Sequence, residues 1–154
     1  MRQFTTDAAP ACVPSREWVF IAAPPAIAAP PAPFDAPSGA LLREADARAL
    51  NIAPRRWLLL GEAPRLREQA LAGGALEFET HGRWCVIDLA RDSPALRAAL
   101  DVEAALASRG CLSMTLFDTP AHLYAHDRPQ RIQVCVPTSF ADSFLRQVRS
   151  IEAR

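Results

Sequence analysis

Apolar residues along this chain fall into short runs that turn residues interrupt, and the period of each run predicts its conformation. Arg56–Gly61 places Trp57, Leu58, Leu59 and Leu60 in succession before a glycine, the pattern of a strand buried on both faces. Ala63–Ala72 reads as a short helix ended by Gly73-Gly74, where a permissive backbone suits a C-cap. Leu76–Thr80 alternates as a half-buried strand does, His81-Gly82 makes a turn, and Trp84–Leu89 is the returning strand.

Ser93 and Pro94 predict a helix start, with serine at N-cap and proline in the first turn. Leu96, Ala99, Leu100, Val102 and Leu106 form its apolar stripe, and Arg109-Gly110 ends it. Cys111–Asp118 and Ala121–His126 read as a hairpin around Thr119-Pro120, followed by a strand over Arg131–Val136 that Pro137 stops. The last helix is expected to open at Ser139, with Asp142 completing a capping box. Its buried face would carry Phe140, Phe144, Val148 and Ile151.

The first 40 residues differ in kind. Ala22–Ser38 is built mainly of proline and alanine, which forbids a helix or a central strand and predicts an extended, polyproline-like arm. Glu17–Ala22 is a possible edge strand within it, and a helix is expected over Leu41–Leu50. The organisation is therefore an arm over 1–40 and one α+β domain over 41–154. That domain has a mostly antiparallel sheet, helices on one face, and split βαβ-like units.

Composition narrows the function classes. The 154 residues carry a formal net charge of +0, which argues against a general nucleic-acid binder, since phosphate must be met by a cationic surface. All 17 basic residues are arginine, so Schiff-base and lysine general-base chemistry have no residue to use. The four cysteines, Cys12, Cys85, Cys111 and Cys135, form no CxxC pair, so neither a structural zinc site nor a disulfide framework is expected. No secretory leader and no uninterrupted apolar span is read in the chain. The expectation is a reduced, cytoplasmic protein without membrane or nucleic-acid partners.

Several polar groups invite a chemical reading. His122, Tyr124 and His126 alternate along one strand and share a face, which would suit a metal or proton-transfer surface. The plainer reading makes that face the wetter side of the sheet, with Leu123 and Ala125 toward the core. Asp88, in the apolar run VIDL, must be paired if buried, with an arginine, a backbone amide or a ligand amine. Cys111 would be a nucleophile only with a base such as His122 or His126 beside it. Asp118 and Asp127 read as turn residues, and His81 has no evident partner. No Walker or GxGxxG loop is present, and no catalytic, cofactor-binding or metal-binding residue is assigned.

Four segments between Pro54 and Ile151 carry a family resemblance: PRRWLLLGE, VIDLARDSPALRAAL, RGCLSMTLFDTPAHLYAH and IQVCVPTSFADSFLRQV. Together they resemble the gamma subunit of heterotetrameric sarcosine oxidase, a relative of the folate-binding aminomethyltransferase fold. The resemblance implies an accessory, non-catalytic subunit of a complex in sarcosine and one-carbon catabolism. Its partners would be larger subunits, the alpha subunit first. Flavins, NAD and tetrahydrofolate would sit on those partners and no cofactor on this chain. A stand-alone folate- or one-carbon-binding protein of the same fold is the alternative.

Overall fold

The computed structural model describes residues 12–14, 17–21, 32–79, 82–98, 102–125 and 127–154. His81, His126, Ala99, Leu100 and most of the Pro/Ala-rich segment lie outside the described residues. Two five-stranded sheets, each antiparallel throughout, are stacked and flanked by helices in an α+β arrangement.

The first sheet runs in the order β1 (Cys12–Pro14), β7 (Trp84–Ala90), β10 (Arg131–Pro137), β9 (Thr119–Ala125) and β8 (Cys111–Leu116). The second runs β3 (Leu41–Glu44), β4 (Ala47–Ala53), β5 (Arg56–Leu60), β2 (Glu17–Ile21) and β6 (Leu76–Glu79). Helix α1 (Pro64–Ala72) follows β5; α2 (Pro94–Arg97) and α3 (Val102–Arg109) follow β7; α4 (Thr138–Glu152) closes the chain.

Register decides what each face buries, because directly paired residues share a side of the sheet. Ile87, Val134 and Leu123 are in register across β7, β10 and β9, and they pack with Leu96, Val102, Leu106, Phe144 and Val148 of α2, α3 and α4. The opposite face carries Val86, Cys135, Tyr124 and Cys111, which pack with Leu50, Leu58 and Leu60 of the second sheet. The far side of the second sheet holds Ala49, Leu59 and Trp57, covered by Leu66 and Ala70 of α1 and by Phe34. The layers are therefore α1, second sheet, first sheet, and α2 to α4.

Among its described residues, segment 1–40 enters this architecture through β1, β2, Phe34 and Gly39. β1 and β2 each pair within a sheet, and Phe34 is buried with its ring edge-on to Trp57 at 5.3 Å. The two sheets meet closely at Gly39 and Gly110, where the Cys111 amide donates to the Gly39 carbonyl at 2.9 Å. Gly110 has φ +93, and a Cβ there would stand 2.9 Å from Cβ of Leu41. Only a glycine accommodates both demands.

Several local expectations are corrected. Leu41–Leu50 is not a helix but the start of a hairpin, with β3 and β4 joined at Ala45-Asp46 and Ala45 at φ 47. Helix propensity yields there because β4 pairs with β5 and is buried on both faces: Ala49 goes toward α1 and Leu50 toward the first sheet. The helix opened at Ser93 is two pieces, α2 and α3, although Ser93 Oγ does accept the Ala95 amide at 3.2 Å. Helix α4 starts at Thr138 rather than after Ser139, and Pro137 holds the N-cap position without a side-chain bond, so the Ser139–Asp142 capping box does not form. Strand β10 runs directly into the helix, and Phe140 is exposed while Ala141, Phe144, Leu145 and Val148 are buried. Cys85 is disulfide-bonded, contrary to the expectation of reduced cysteines; β1, the strand containing Cys12, lies beside it. Among the described residues no helix is long and apolar enough to cross a membrane.

Candidate functional site

Cys111, His122 and Tyr124 lie on the face of the first sheet that meets the second. His122 on β9 is in register with Ser113 of β8 on one side and Cys135 of β10 on the other. The face expected to be wet is only partly covered: His122 is half-buried and Ser113 exposed. Tyr124 is buried at 2 % exposure, because the second sheet covers the face that period-2 reasoning assigns to solvent.

Ser113 Oγ lies 2.8 Å from His122 Nδ1 and 3.1 Å from the Ile52 carbonyl. A hydroxyl has one proton, and the carbonyl can only accept. The serine proton therefore goes to Ile52, and Nδ1–H of His122 donates to Ser113. This tautomer follows from the bonding network. The chain of bonds links β9, β8 and β4, so it fastens one sheet to the other. It also leaves Ser113 oriented away from nucleophilic activation, which requires its proton to pass to the imidazole. The Trp84 ring packs against His122 with centroids 5.1 Å apart. Burial holds the imidazole in its neutral form and lowers its pKa to about 4.

Cys111 shows the same logic. Its single thiol proton faces two acceptors, the carbonyls of Ala40 at 3.3 Å and Asn51 at 3.6 Å from Sγ, and burial pushes its pKa up to about 11, opposed by the Asn51 backbone. A protonated, carbonyl-bonded thiol is not a nucleophile at neutral pH. Burial likewise pushes the Tyr124 phenol upward, with Cys135 adding to the effect. The nucleophile reading of Cys111 has no geometric support, and His126, its other suggested base, lies outside the described residues.

Asp88 is paired with an arginine. Arg131 Nε donates to its carboxylate at 3.0 Å, and Arg131 Nη2 donates to the Asp88 carbonyl at 3.0 Å. Among the described residues no group of three or more His, Cys, Asp or Glu side chains is arranged to hold a metal.

Asp127 has a larger role than a turn residue. Its two carboxylate oxygens take the guanidinium groups of Arg43 and Arg48 from the β3–β4 hairpin. Arg48 is 7 % exposed and also donates to the carbonyls of Ala45 at 2.9 Å and Ala47 at 2.7 Å. This second fastening of the sheets is invisible to local pattern, since 79 positions separate Arg48 from Asp127. A hydrophilic turn and an arginine in a strand give no signal that they meet.

No protein-family model matches the chain, and no curated protein matches it. Its fold does resemble that of a chain in the heterotetrameric sarcosine oxidase from Corynebacterium sp. U-96, a structure in complex with pyrrole 2-carboxylate. The TM-score is 0.68 at 15 % identity, covering 94 % of this chain and 83 % of that one.

Proposed function

We propose that this chain is an accessory, non-catalytic subunit of a sarcosine-oxidase-like complex, of the gamma type. The observation that carries the reading is the likeness in fold to a chain of a heterotetrameric sarcosine oxidase over most of both chains. The bonds that Ser113, His122, Cys111, Asp88 and Asp127 make within the chain agree with it, because each reactive-type group already has a partner in this chain. Larger partner subunits, the alpha type foremost, would carry flavin, NAD and tetrahydrofolate.

The test is purification of the tagged chain from its source cells grown on sarcosine. The expected result is stoichiometric co-elution with flavin-absorbing larger subunits, with sarcosine-dependent oxygen consumption by the same fractions. A flavin-free monodisperse monomer from cells that oxidise sarcosine overturns the proposal. Micromolar binding of tetrahydrofolate to the isolated chain, measured by calorimetry, would move the reading to a stand-alone folate-binding protein.

A further inference from the structure

We draw no further inference here: the strongest candidate, the exposed apolar pair Leu76 and Phe78 on edge strand β6, carries nothing because nothing in the structure shows what covers it.

Discussion

The carboxylate of Glu44 caps helix α1 from a different element: its Oε2 accepts the Leu66 amide at 2.8 Å, and its Oε1 accepts the Arg65 amide at 3.1 Å. Ala63, at the N-cap position, has no side chain able to do this. The negative charge also sits where the helix dipole is positive. Glu44→Ala is expected to destabilise the protein by about 1 kcal/mol, and Glu44→Gln by less, since the amide oxygen still accepts one bond. Urea denaturation of the three proteins checks the order; equal midpoints for wild type and Glu44→Ala would remove the cap from the account.

His122 makes stability depend on pH. Its folded pKa, about 4, lies below the ordinary 6.5, so between these values the unfolded chain binds more protons at this position. Stability from this group is therefore fully present above pH 6.5 and is lost as pH falls toward 4. The total is on the order of 3 kcal/mol. In His122→Gln the fall across that window is expected to be shallower than in the wild type. Parallel pH profiles for the two proteins would contradict the assignment.

Two glycines separate backbone strain from crowding. Gly82 and Gly110 both have positive φ, +73 and +93, but a Cβ at Gly82 meets nothing within 4 Å while one at Gly110 meets Leu41. Gly82→Ala is expected to cost about 1 kcal/mol from backbone conformation alone. Gly110→Ala adds the overlap with Leu41 and should cost about 2 kcal/mol or more. Thermal melts of both variants read the difference directly.

The Cys111 thiol is expected to resist alkylation in the folded protein. With its pKa near 11, about one thiol in a thousand is ionised at pH 8. Iodoacetamide treatment followed by peptide mapping should find Cys111 unlabelled until denaturant is added. Rapid labelling of the native protein would show an accessible thiolate that the geometry does not provide.

Asp127 faces two arginines of unequal burial, with side-chain exposures of 9 % for Arg48 and 45 % for Arg43. Asp127→Ala is expected to cost about 1–3 kcal/mol, chiefly because Arg48 keeps its charge in a largely buried position. Arg43→Ala removes a more solvated partner and should cost roughly 0.5 kcal/mol. A double-mutant cycle in chemical denaturation gives the two couplings. A larger coupling to Arg43 than to Arg48 would reverse the assignment of which pair holds the sheets.

Much of the ladder was legible because its signals are local. The strand over Arg56–Leu60, the helix ended at Gly73, the returning strand from Trp84 and the Ser93 cap all follow from adjacent residues. So do the apolar spacing of Phe144 and Val148 and the hairpin from Cys111, although its turn is Phe117-Asp118, both at positive φ, and Thr119-Pro120 already belong to the returning strand. Ala47–Ala53 escaped because a strand buried on both faces loses its alternation. An alanine-rich stretch then favours a helix on propensity until β5 pairs with it.

What the amino-acid order determined by itself was the set of punctuated apolar segments. Tertiary structure decided where the polar residues lie. Stacking of the second sheet covered part of the face of His122 and Tyr124, and that burial keeps the imidazole neutral. It also brought Asp127 to Arg43 and Arg48, and Ser113 to the Ile52 carbonyl. Those pairings are long-range, and a local sequence pattern records which residue types exist but not which face a second sheet will cover.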